Sequence, residues 1–71
     1  MIRVFIADDQ LLIRQGIRTL LEMDAEIVIA GEAEDGVEAI ERVPDAEVDV
    51  LLLDVRMPKK SGVDVLRELS A

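Results

Sequence analysis

The sequence predicts an α/β fold built on a parallel sheet, and three observations carry that prediction. Short apolar runs at residues 2–7, 27–31 and 48–53 alternate with stretches of helical periodicity. The third run is apolar at nearly successive positions, interrupted only by Asp49, as expected for a strand covered on both faces. The first and third runs both close on aspartate, at Asp8-Asp9 and at Asp54. The resulting β-α-β-α-β-α order with short connections places the helices on the sheet faces through right-handed crossovers.

Each element has its own local reason. Residues 2–7 are β-branched and aromatic in character and end at two acids, which suits a short buried strand. From Leu12 to Met23 the period changes: Ile13, Ile17, Leu20 and Leu21 form one apolar stripe, with Arg14, Arg18 and Glu22 on other faces. Asp9 is the expected N-cap of this helix, and Gly16 within it is expected to mark a close packing contact. Residues 27–31 form the second strand. Asp35 with Glu38 three positions on has the form of a capping box, opening a helix that turns Val37, Ile40 and Val43 inward and stops at Pro44. Residues 55–62, with Pro58, Lys59, Lys60, Ser61 and Gly62, read as a loop in which Met57 packs. A third helix over 63–69 follows, with Val63, Leu66 and Leu69 facing in.

Composition narrows the function classes. Seventy-one residues permit one domain, with no Cys or His to supply a disulfide or a Cys/His metal staple. The apolar fraction of 51% is too high for a disordered tail. Sixteen acids against eight basic residues, a net charge of -8, argue against direct nucleic-acid binding and suit cations instead. No segment is apolar for long enough to suggest a signal or a membrane span, so a soluble cytoplasmic protein is the expectation.

The chemistry concentrates in the strand-end acids. In a parallel sheet all strand C-termini lie on one edge. If the first and third strands are neighbours, that edge contains a topological switch point where open α/β sheets bind ligands. Asp8, Asp9 and Asp54 then converge, and three carboxylates with no His and no adjacent Lys require either a retained proton or a bound hard cation. Oxygen ligands at an exposed strand end favour Mg²⁺.

Asp8-Asp9 after the first strand, Asp54-Val55-Arg56-Met57-Pro58 after the third, and Gly62 before the third helix together resemble the receiver domain of bacterial two-component response regulators. Residues 5–22 and 49–69 most resemble the branch whose full-length members carry a LuxR-type helix-turn-helix output domain. The resemblance covers residues 1–71 but only the N-terminal portion of a receiver, with no output domain. It implies a truncated flavodoxin-like fold with parallel strands ordered 2-1-3, strands four and five missing. By the same resemblance Asp54 matches the phosphoacceptor, Asp9 a direct Mg²⁺ ligand, Asp8 a ligand acting mainly through water, and the Arg56 backbone carbonyl a further metal ligand. The implied partner is a sensor histidine kinase, and the implied outcome is control of transcription through the absent output domain. The resemblance thus implies a phosphoryl acceptor capable at most of autophosphorylation from a phosphodonor, and not a turnover enzyme.

The departures from the family pattern also carry expectations. The family's Ser or Thr after strand four, Lys after strand five and switch aromatic have no counterpart: the hydroxyls are Thr19, Ser61 and Ser70, and the lysines are Lys59 and Lys60. Impaired phosphorylation and switching are therefore expected. A second reading is a non-catalytic half-receiver that self-associates through the exposed edge of its third strand, where residues 50–53 offer free backbone groups. An unrelated aspartyl-phosphate hydrolase would want an acid two residues after the nucleophile, where Arg56 stands. Asp8-Asp9 alone would read as a helix cap, Lys59-Lys60 as a solvated loop, and Arg56 as exposed. The ordered set of acids with Met57-Pro58 and Gly62 is what favours the receiver.

Overall fold

The centre of the molecule is the most apolar short run in the chain's first ten residues. Residues Ile2–Ala7 form strand β1, and Val4, Phe5, Ile6 and Ala7 are all buried, so both faces of this strand are covered. A computed structural model describes residues 1–70. After β1 come α1 (Leu11–Glu22), β2 (Ile27–Ala33), α2 (Gly36–Arg42), a 3-10 turn (Val43–Asp45), β3 (Val50–Leu53) and α3 (Gly62–Ser70). Both strand pairings are parallel and the order is β2-β1-β3. No helix among the described residues is long and apolar enough to cross a membrane.

Register divides the sheet into two unlike faces. Phe5 lies level with Leu51 and Ala7 with Leu53, while Val4 and Ile6 lie level with Val50 and Leu52. Because side chains alternate along a strand, the first set shares one face and the second the other. On the first face Phe5, Ala7 and Ala33 pack with Ala39 of α2, Val65 of α3 and Met57 of the intervening loop. On the other face Ile6, Leu52 and Ile17 of α1 line a hollow of about 290 Å³.

Several sequence expectations shift once tertiary contacts are in place. Strand β3 is not covered on both faces, since Val50 and Leu52 remain 44% and 37% exposed. It begins at Val50 instead of Val48 because the chain turns sharply first, with Glu47 at φ 55°. The Arg3 guanidinium donates to the Ala46 and Glu47 carbonyls, and the Asp49 carboxylate accepts the Arg3 N–H at 2.8 Å. Strand β2 runs on to Ala33.

The inward face of α1 is Arg14, Ile17 and Leu21, whereas Ile13 and Leu20 are exposed. A buried Arg is tolerated there because its guanidinium is paired, as described below. Asp9 does not cap α1. The cap position is Gln10, whose side chain makes no cap bond, while the Asp8 carboxylate accepts the Gln10 N–H. Gly16 faces open space and marks no packing contact.

Helix α2 is capped as its sequence implies: the Glu38 N–H donates to Asp35 Oδ1 at 2.8 Å, and the Glu38 carboxylate reaches back to the Glu34 N–H. Pro44 diverts the chain into the 3-10 turn. Helix α3 begins at Gly62 and buries Gly62 and Val65, with Leu69 half-buried, leaving Val63 and Leu66 exposed. Its start follows from a second cap in which Ser61 Oγ accepts the Asp64 N–H and Asp64 Oδ2 accepts the Ser61 N–H.

Candidate metal centre

Parallel pairing brings the acids together before any side chain is considered. Ala7 lies level with Leu53, so the next residues, Asp8 and Asp54, leave the sheet side by side. The Asp54 N–H donates to the Ala7 carbonyl at 2.9 Å and the Asp8 N–H to the Ala33 carbonyl at 3.0 Å, which extends the ladder to the edge of the crevice. One carboxylate oxygen each from Asp8, Asp9 and Asp54 then falls within 4.8 Å of the others. Asp8 and Asp54 are half-buried and Asp9 is exposed.

Local backbone bonds orient two of the three carboxylates. Asp8 Oδ1 accepts the Gln10 N–H at 2.8 Å, and Asp54 Oδ1 accepts the Arg56 N–H at 3.1 Å. Both are short turns in which Asp bonds the backbone two residues on. Among the described residues no Lys or Arg forms an ion pair with any of the three acids. Lys59 lies 3.3 Å from Asp35 Oδ2, and Lys60 pairs with Glu68. The Glu68 hydrogen bond raises the Lys60 pKa, and neither lysine serves Asp54.

The donor set fits a hard cation: oxygen atoms only, three negative charges within one small volume, and open access from solvent beside Asp9. Asp8, Asp9 and Asp54 would hold such an ion. Arg56 is exposed, and its N–H bond to Asp54 fixes the start of the loop in which its carbonyl lies. Gly62 closes that loop. A Cβ there would meet the Asp54 carbonyl oxygen at 2.5 Å, and the Gly62 N–H donates to the Val55 carbonyl at 2.9 Å.

Arg14 is the supporting residue that sequence reading passed over. Its Nη1 donates to the Asp8 carbonyl at 2.6 Å and its Nε to Glu32 at 3.3 Å, while Arg18 donates to the other Glu32 oxygen at 2.5 Å. A cation on the backbone of Asp8 stiffens the strand end without neutralising its carboxylate. The only sequence signal for this role was an Arg in helical register with the apolar residues Ile17 and Leu21.

A second group of acids, Glu34, Asp35 and Glu38, also brings one carboxylate oxygen each within 4.8 Å of the others. The Asp35 and Glu38 oxygens are already engaged, by the α2 cap, the Glu34 N–H, Lys59 and Arg42.

The response regulator receiver domain model matches residues 4–71. The chain is 44% identical over 69 residues to the DNA-binding transcriptional activator DevR/DosR of Mycobacterium tuberculosis, covering 97% of this chain and 32% of that protein. It is equally identical, over 66 residues, to a protein-glutamate methylesterase/protein-glutamine glutaminase of Pyrococcus abyssi, covering 93% of this chain and 18% of that protein. Among solved structures, the response regulator domain of Thermotoga maritima CheB superposes with a TM-score of 0.94 at 29% identity, covering 97% of this chain and 52% of the other. The receiver domain of the putative response regulator NarL of Mycobacterium tuberculosis gives 0.88 at 36% identity, covering 97% and 58%. The chain thus spans less than a third of the curated relatives and about half of the solved receivers. With a parallel 2-1-3 sheet, acids at the ends of its two neighbouring strands and a family match over nearly its whole length, the chain belongs to the response regulator receiver domain family.

Proposed function

We propose that this segment is the phosphoacceptor part of a two-component response regulator, with Asp54 receiving the phosphoryl group from a sensor histidine kinase in the cytoplasm. The observation that carries the reading is the convergence of Asp8, Asp9 and Asp54 with no cation of the described chain among them. Asp54 is anchored through one oxygen to the Arg56 N–H, which leaves its second oxygen to act as the nucleophile. That oxygen attacks phosphorus, the bond from phosphorus to the donor imidazole breaks, and the leaving nitrogen keeps the electron pair and takes a proton from solvent. Asp8, Asp9 and Asp54, with the Arg56 carbonyl, would hold Mg²⁺. When bound, the ion supplies charge neutralisation to the acceptor and phosphoryl oxygens. Any transcriptional output belongs to a whole protein of which this segment is the receiver portion.

Lys59 and Lys60 are both engaged elsewhere, so the acyl phosphate lacks a cationic clamp within the described residues and forms in low yield. Incubation with Mg²⁺ and acetyl phosphate, followed by rapid acid quench and intact mass, tests this. A substoichiometric, Mg²⁺-dependent gain of one phosphoryl group, absent in Asp54→Asn, is expected. A gain that survives Asp54→Asn would overturn the assignment.

A second reading concerns assembly. Val50 and Leu52 expose apolar surface on β3, whose outer edge no described residue pairs, and Ile13 and Leu20 of α1 are exposed as well. We infer that a second copy covers this surface. Light scattering across a dilution series is expected to show a dimer at high concentration, and a monomer throughout would sink the idea.

A further inference from the structure

The loop between β3 and α3 contains a strained backbone position that the metal site does not explain. Lys59 has φ 69°, in the left-handed region that residues with a Cβ rarely adopt. The Lys60 N–H donates to the Pro58 carbonyl at 2.8 Å, closing a three-residue turn around Lys59. Turns of this kind with positive φ are rare and strained. They persist only where the surroundings over-determine the conformation.

Two contacts meet that requirement, and both come from the start of α2. The Asp35 side chain is 6% exposed and faces Lys59 Nζ at 3.3 Å through Oδ2, while its Oδ1 caps the helix. At the next residue a Cβ on Gly36 would meet the Lys60 carbonyl oxygen at 2.2 Å, so the helix backbone lies directly against the turn. On the near side of the turn Met57 is buried in the core and Pro58 has its own φ locked by its ring. Residues 57, 58 and 59 are thus fixed by three independent means, immediately after the Arg56 carbonyl.

We propose that Asp35 is a positioning residue for the metal-site loop, acting through Lys59 to hold the strained turn and with it the path of the backbone at Arg56. It touches neither the ion nor the phosphoryl group. The proposal rests on the reading of Asp8, Asp9, Asp54 and the Arg56 carbonyl as metal ligands. It adds a residue from a different strand-helix connection to their support.

The test uses the chain itself with Mn²⁺ as the probe ion. Asp35→Asn keeps an oxygen that caps α2, and Lys59→Met keeps the side-chain stem, so both remove charge with little change of shape. Calorimetric titration is expected to show Mn²⁺ bound about threefold to fivefold more weakly by either variant, and no more weakly by the double variant, consistent with loss of one partly exposed ion pair. Hydrogen exchange gives a second readout independent of metal: the Lys60 and Gly62 amides are expected to lose protection in both variants, while those of β1 keep theirs. Unchanged Lys60 protection in a folded Asp35→Asn chain overturns the proposal, as does additivity of the two substitutions. Should the unmodified chain bind no Mn²⁺ while Lys60 protection still falls in both variants, the metal reading fails and the positioning role stands.

Discussion

The two acid triads of this molecule carry the same number of carboxylates, and each brings one oxygen per residue within 4.8 Å of the others, yet their surroundings differ. Around Asp35 every step of the local structure consumes an oxygen: Glu38 N–H and Lys59 on Asp35, then Glu34 N–H and Arg42 on Glu38. Around Asp54 the backbone takes one oxygen each from Asp8 and Asp54, and no described Lys or Arg pairs with the three carboxylates. A cluster of acids is therefore informative only after its hydrogen bonds have been assigned. The Asp35 group is a helix cap with ion pairs attached, whereas the Asp54 group keeps carboxylate oxygens unpaired by any described Lys or Arg, as the proposed ion site requires.

The largest expected contrast is in metal affinity. On the proposed reading each of Asp9→Asn and Asp54→Asn removes a ligand charge, so either should weaken Mn²⁺ binding by at least about 10-fold. Glu34→Gln and Glu38→Gln should leave it unchanged. A calorimetric titration of the four variants decides whether the two triads differ as their hydrogen bonding implies. Equal losses from both groups would erase the distinction.

Gly36→Ala attacks the second triad from beneath. Its Cβ would collide with the backbone of Lys60, a partner that cannot swing aside as a side chain would. Overpacking of this kind costs about 1–3 kcal/mol, measurable as a lower urea midpoint. Lys59 should be displaced together with Lys60, separating it from Asp35.

A smaller effect follows from pH. The Glu38 N–H bond, with Lys59 adding to it, holds the Asp35 carboxyl below its ordinary pKa. A carboxylate whose folded pKa is depressed contributes stability that is present above the unfolded value, about 4, and is lost as pH falls through the folded one. Denaturation midpoints of the wild type should therefore fall with pH below about 4 more steeply than those of Asp35→Asn. Parallel curves would show that Asp35 binds its proton equally well in both states.

The same contrast separates what sequence could convey from what it could not. Strand β1, the α2 cap at Asp35 and the convergence of Asp8, Asp9 and Asp54 were legible because each depends on neighbours in sequence or on the shared edge of a parallel sheet. The inward faces of α1 and α3 were not. Periodicity identifies an apolar stripe, but the choice between Ile13 and Ile17, or between Leu66 and Val65, depends on where the helix axis settles against three strands. Arg14 shows the limit most clearly: a charged residue is buried because Glu32, distant in sequence, and the Asp8 carbonyl beyond the start of the helix both await it. Ser61-Gly62-Val63-Asp64 carries a capping signature that locates the start of α3 and was readable, though the surrounding turn residues outweighed it.

Gly16 offers the smallest effect and a means of measuring the others. It sits within α1 with nothing near its missing Cβ, so alanine there gains helix propensity without a clash. The expected gain is about 1 kcal/mol, seen as a higher urea midpoint at constant slope. In a chain of 71 residues that margin matters, because charge-removing variants of either triad must stay folded to be compared. Gly16 makes no contact with either group of acids, so its stabilisation should add to each triad variant independently and leave every difference between them intact. A Gly16→Ala background that altered the Mn²⁺ affinity would instead show that α1 transmits strain to Asp8, through Arg14 or the Gln10 cap.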